Sequence, residues 1–134
     1  LATKAGQVTG VEGSEEMVVR GRANAGLNSL DNVDFHAVDL YQAGNEAPWP
    51  VREYTKIMLD PPRSGARELL PWIAAGSVNR VLYISCNPET LARDAGLLVN
   101  EYGFGLKGAG ILNMFPHTTH SEAIALFERR SPAA

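Results

Sequence analysis

The chain has 134 residues, 45% of them hydrophobic and 20% charged, with a formal net charge of −3. This suits one globular domain with its own core and excludes wholesale disorder, and the acidic balance argues against a general basic nucleic-acid-binding module, whose grip comes from Lys and Arg on phosphate. A single cysteine, Cys86, excludes an internal disulfide and a thiolate-rich metal or iron–sulfur site within these residues.

Residues 1–6 read as the last turn of a helix stopped by Gly6, with no Met ahead of Leu1, as expected of a piece cut from a longer protein. Residues 7–11 alternate as a short strand, and residues 15–27 show the spacing of an amphipathic helix with Met17, Val18 and Ala25 inward, ending near Gly26 and Asn28. Residues 32–38 alternate again as a strand, followed by a loop at Asp39. Between 41 and 50, Gly44, Asn45, Pro48 and Pro50 break any element, and Trp49 is expected to cover a core edge. Residues 55–60 form a compact strand halted by Pro61 and Pro62, because proline donates no ladder hydrogen bond and restricts its predecessor. A helix is expected over 66–75, a strand over 80–85, a helix over 89–102 opened by Pro88 or Thr90, and two further strands over 104–112 and 123–127 joined by a loop. Residues 131–134 read as a frayed tail. No apolar run is long enough for a membrane span and no leader-like segment stands at Leu1, so the expected location is cytoplasmic.

Strand and helix alternate up to residue 102, which implies parallel strands with right-handed crossovers. The last two strands have no helix between them and should pair as an antiparallel hairpin. If the first of that pair runs with its predecessors, Asp60, Cys86 and Glu122 all fall on the carboxyl edge of one sheet, where open α/β folds bind their ligands. Each has a plainer reading. Cys86 could be a small buried hydrophobe and Asp60 the cap of a turn. Arg63 could touch phosphate or base, or pair with Glu68 on the surface. Glu12, after the first strand, could accept hydrogen bonds from ribose hydroxyls or simply be a charge at a helix start. His117 and His120 invite a metal site or a Cys-His hydrolase; their spacing within a Pro-containing loop suits a metal poorly and no metal is expected, while a hydrolase that acylates Cys86 stays a rival reading.

Three segments in order resemble the RNA uracil-5-methyltransferase family: Asp60-Pro61-Pro62-Arg63, the run from Ser85-Cys86-Asn87-Pro88 to Arg93-Asp94, and Met114-Phe115-Pro116-His117 to Glu122. The second and third are most like the branch acting on 23S ribosomal RNA. The resemblance implies a Rossmann-like class I methyltransferase sheet, mostly parallel with a C-terminal antiparallel hairpin, and S-adenosyl-L-methionine as cofactor. Residues 1–130 would be part of the catalytic domain. Cys86 would add to carbon 6 of uracil, making carbon 5 nucleophilic, and Glu122 would remove the carbon 5 proton. Asp60 would stand near both cofactor and target base, Glu12 would hold the ribose and Asp39 the adenine, with Arg63 and His117 toward the RNA. The family's first strand and glycine-rich loop are expected upstream of Leu1, as are its RNA-binding parts, so the isolated piece is expected to be inactive. Methylation of a transfer RNA uracil, of a nucleic-acid cytosine, or a non-catalytic interaction role are the alternatives.

Overall fold

The computed structural model describes residues 1–42, 54–112 and 122–130. They fall into two compact units, Leu1–Val51 and Arg52–Ala134. The breaker segment with Trp49, the loop carrying His117 and His120, and the tail 131–134 lie outside the described residues.

In the first unit, strands β1 (Val8–Glu12) and β2 (Val33–Ala37) pair in parallel, Val8 beside Val33 and Glu12 beside Ala37, with helix α1 (Glu15–Leu27) as the crossover. Ser14 caps α1 by accepting the Met17 N–H, and Glu15 and Glu16 in the first turn suit the positive end of the helix. The helix lies close to the strands because Gly10 and Gly21 leave room for the Phe35 ring; a Cβ on either would stand 2.7 or 2.9 Å from it. The expected apolar stripe narrows to Val18, with Met17 and Val19 about half exposed, since contact is made through glycine and one ring. The opening segment is a three-residue 3-10 turn, Ala2–Lys4, closed by Lys4 N–H to the Leu1 carbonyl, and it ends at an extended Ala5, one residue before the expected stop at Gly6.

In the second unit, β3 (Lys56–Leu59), β4 (Arg80–Ser85), β5 (Phe104–Leu112) and β6 (Glu122–Arg129) form one sheet in the order β3-β4-β6-β5. Strands β3 and β4 are parallel, and β6 is antiparallel to both β4 and β5, so three of the four strands run one way. The closing hairpin folds its second strand inward, between β4 and β5. Helices α2 (Leu70–Ala75) and α3 (Pro88–Asn100) cover one face, where Leu70, Ile73, Leu91 and Leu98 bury Val81, Tyr83, Phe104, Ala125 and Phe127. Burying one such large side chain contributes about 1.5–3 kcal/mol.

Two helix boundaries differ from the sequence reading. The expected helix over 66–75 is a 3-10 turn, Arg67–Leu69, followed by α2, because Pro71 has no N–H to offer the Arg67 carbonyl and the Leu70 N–H takes it instead. Helix α3 is opened by Asn87, whose side chain accepts the Glu89 N–H, and Pro88 is its first residue. It ends at Asn100, where the Glu101 and Tyr102 N–H groups both reach the Leu97 carbonyl and Gly103 takes φ +72°.

Candidate active site at the carboxyl edge

Strand β3 is pinned to β4 with Leu59 beside Tyr83, so Asp60 leaves the sheet at the end where Cys86 follows Ser85. On the other side of β4, Ser85 stands beside Ala123, and Glu122 is the next residue toward the same edge. Glu122 also pairs with Leu112, the last residue of β5. The register thus brings Asp60, Cys86 and Glu122 to one end of one sheet, on three neighbouring strands in the order β3, β4, β6. Asp60 is exposed, Cys86 is exposed, and Glu122 is half-buried. Cys86 is therefore not the buried hydrophobe that a free cysteine usually is.

The turn carrying Cys86 is closed on both sides. The buried Ser85 hydroxyl donates to the Asn87 carbonyl at 3.0 Å, and the Asn87 N–H donates back to Ser85 Oγ at 3.0 Å, so the backbone of the exposed Cys86 is held in a small ring. The Asn87 side chain then reaches across to donate to the Arg63 carbonyl at 3.0 Å, and the Thr90 hydroxyl donates to the same carbonyl at 3.2 Å. The Arg63 side chain is exposed and forms no ion pair with Glu68.

Beneath these loops lies a group that the sequence reading passed over. Asp94 is fully buried; its Oδ2 accepts the Tyr83 hydroxyl at 2.6 Å and the Ala66 N–H at 2.8 Å, and its Oδ1 accepts Arg93 Nε at 2.8 Å. Burial, together with the Asp94 carboxylate, pushes the Tyr83 phenol well above its ordinary range, so it stays a donor. The signal was in the spacing: Leu91, Asp94 and Leu98 occupy one helical stripe, and a carboxylate on an apolar stripe needs partners.

In the first unit, Glu12 ends β1 and Asp39 follows β2, so two exposed carboxylates stand at or just past the carboxyl ends of adjacent parallel strands. Glu12 Oε1 accepts the Ser14 N–H at 3.0 Å, which leaves Oε2 for another donor. Asp39 closes its own turn, accepting the Tyr41 N–H at 3.0 Å and Gln42 Nε2 at 2.7 Å. Carboxylates at such strand ends can accept hydrogen bonds from hydroxyl groups such as those of a ribose. Among the described residues no group of three or more His, Cys, Asp or Glu could hold a metal ion. None of the described helices is long and apolar enough to cross a membrane.

The sequence model for tRNA (uracil-5-)-methyltransferases matches residues 49–130. The chain is 54% identical over 129 residues to the 23S rRNA (uracil(1939)-C(5))-methyltransferase RlmD of Methylococcus capsulatus, covering 96% of this chain and 29% of that protein. It is 50% identical over 131 residues to the RlmD of Alkalilimnicola ehrlichii, covering 98% of this chain and 29% of the relative. Among solved structures, the tRNA (uracil-54, C5)-methyltransferase of Pyrococcus abyssi in complex with S-adenosyl-L-homocysteine superposes with a TM-score of 0.73 at 28% identity, over 90% of this chain and 28% of that one. The chain spans less than a third of the length of each. Its sheets, with their parallel strands and antiparallel close, have the Rossmann-like arrangement of class I methyltransferases. The match over more than half of its residues shows that this chain belongs to the tRNA (uracil-5-)-methyltransferase family.

Proposed function

We propose that a protein carrying this chain methylates carbon 5 of a uridine in RNA, with Cys86 as nucleophile and Glu122 as base. The observation that carries the reading is the register placing Ser85 beside Ala123, which sets the residues after and before them, Cys86 and Glu122, on neighbouring strands at one edge. Carbon 5 of uracil is a weak nucleophile. Addition of the Cys86 thiolate to carbon 6 pushes the ring electrons into an enolate, and carbon 5 then has the electron pair a new carbon–carbon bond needs. S-adenosyl-L-methionine supplies the methyl group when bound. Glu122 takes the proton from carbon 5, the double bond reforms, and the thiolate leaves. Asp60, on the strand beside Cys86, hydrogen-bonds the uracil edge and supports the enolate.

Glu12 holds the cofactor ribose and Asp39 its adenine, while Arg63 and His117 contact the RNA. Residues 1–130 belong to one catalytic domain, a reading supported by a similarity that runs through both units. The level of identity to RlmD proteins favours a 23S ribosomal RNA uridine as substrate, and with it a bacterial cytoplasmic activity.

The test uses the protein at the full length of its relatives, incubated with S-adenosyl-L-methionine and RNA containing 5-fluorouridine. Fluorine cannot be removed as a proton by Glu122, so a stable protein–RNA adduct should accumulate, and peptide mapping should place it on Cys86. Turnover without any adduct, or an adduct on another residue, would overturn the assignment.

A further inference from the structure

We propose that Asp94 is a positioning residue for the reaction, locking the segment that carries Asp60 and Arg63 to the segment that carries Cys86. This rests on the function proposed above and extends it to a side chain that touches no substrate.

After Asp60 the chain runs through Pro61, Pro62, Arg63, Ser64, Gly65 and Ala66 to the 3-10 turn that leads into α2, with no strand or helix of its own. Its backbone is instead held by side chains of α3 and its cap. Asn87 and Thr90 donate to the Arg63 carbonyl, Arg93 Nη2 donates to the Ser64 carbonyl at 2.9 Å, and Asp94 accepts the Ala66 N–H. Gly65 sits at φ +86°, and a Cβ there would come within 2.5 Å of Arg93 Nη2 and 2.7 Å of Asp94 Oδ2. Backbone and helix are thus in direct contact, and only glycine fits.

Asp94 is the centre of this arrangement. It is the fully buried member, it binds the loop through Ala66, and it binds the sheet through Tyr83 of β4, two residues before Ser85. Its other oxygen fixes Arg93 through Nε and through Nη2 at 2.8 Å, and the same Nη2 holds Ser64. One carboxylate therefore connects three pieces: the strand leading to Cys86, the helix leaving it, and the loop leaving Asp60. Hydrogen bonds to an ionised acceptor are stronger than neutral ones, and a buried carboxylate without partners is costly, so the three are fixed together. Catalysis needs this because the thiolate must meet carbon 6 while Asp60 meets the same ring, and misplacement by about 1 Å can cost about 100-fold in rate.

The test is Asp94→Asn in the full-length protein. The amide keeps the shape and one acceptor but turns a donor toward Arg93 Nε, where two donors repel. The rate of adduct formation with 5-fluorouridine RNA should fall by about 10- to 100-fold, with KM for RNA and for S-adenosyl-L-methionine changed little. A comparison variant, Phe104→Leu, matched in melting temperature and remote from the loop, should react at nearly the native rate. Equal adduct rates for Asp94→Asn and native protein, or rates that follow melting temperature alone across the variants, would overturn the proposal. If Asp94→Asn does not fold, Arg93→Met decides: it removes the Ser64 anchor while leaving Asp94 bonded to Tyr83 and Ala66, and it should slow the adduct several-fold; no slowing would overturn the proposal. Absence of any adduct with the native protein would count against the uridine chemistry itself and is thereby distinguished.

Discussion

At the end of the four-stranded sheet where β3 and β4 begin, several charged side chains are bound to one another or to backbone. Arg80 reaches Glu128 across the β4–β6 pair, and Lys107 approaches the same carboxylate at 3.6 Å. Arg129 donates Nε to the Val78 carbonyl at 2.7 Å, spreads Nη2 over the Ala74 and Gly76 carbonyls at 3.1 Å, and stacks over the Phe104 ring at 4.7 Å. At the opposite end, Asp60, Arg63 and Cys86 are exposed, and neither Asp60 nor Arg63 joins an ion pair among the described residues. The bonding there is carried by groups set behind them: Ser85, Asn87, Thr90, Arg93 and Asp94. At one end several charges are tied into the fold, and at the other Asp60 and Arg63 stay exposed while neighbours hold the backbone. The difference teaches that residue type alone does not separate an arginine tied into the fold from one left exposed; what the guanidinium touches does.

Substitutions at the two ends should therefore fail in different ways. Cys86→Ser should lower turnover by about 10⁴-fold or more while shifting stability by no more than about 0.5 kcal/mol, read from steady-state kinetics and thermal unfolding of the same preparation. A large loss of stability would put Cys86 with the structural group and break the contrast. Arg129→Ala should do the reverse. Leaving the carbonyls at the end of α2 without their donor and removing the cation over Phe104 should cost about 2–4 kcal/mol in denaturant unfolding, with the fluorouridine adduct forming at the native rate well below the transition. The smallest effect belongs to Glu128→Gln. Arg80 holds the Glu128 carboxylate below its ordinary range, so its contribution is present above the unfolded carboxylate value and is lost as pH falls through the lowered one. The melting-temperature difference between Glu128→Gln and native protein should be small at pH 7 in low salt and vanish in acid or high salt. A difference that grows in acid would contradict the pairing.

Much of this was legible because local breakers coincide with strand ends. Pro61 and Pro62 stop β3 after Leu59, and Asn87 and Pro88 stop β4 after Ser85, so the positions of Asp60 and Cys86 follow from residues beside them. The bounds of α1 and β4 were likewise written locally, by Ser14 and Asn28 and by the run of β-formers. What was not legible depends on distant partners. Nothing in residues 122–129 says that they enter between β4 and β5, because alternation reports which face is buried and not which neighbour is chosen. The narrow contact of α1 follows from Phe35 filling the space above Gly10 and Gly21, a tertiary fact. Asp94 was hidden for another reason. Its partners, Tyr83 and Ala66, lie 11 and 28 residues away, so the stripe signals a buried acid without naming what satisfies it.

The inward placement of β6 also has a meaning for assembly. Among the described strands it is the last along the chain, yet both β4 and β5 depend on it as their shared neighbour. While the polypeptide is still being made, Cys86 and the helix that follows it come into being first, and Glu122 arrives only with the strand that closes the sheet. On the proposed chemistry, a half-made sheet would own the group that grips the uracil and lack the one that lets it go. Nucleophile and base therefore converge only once β6 has joined the sheet, so on the proposed chemistry the full cycle waits for that strand.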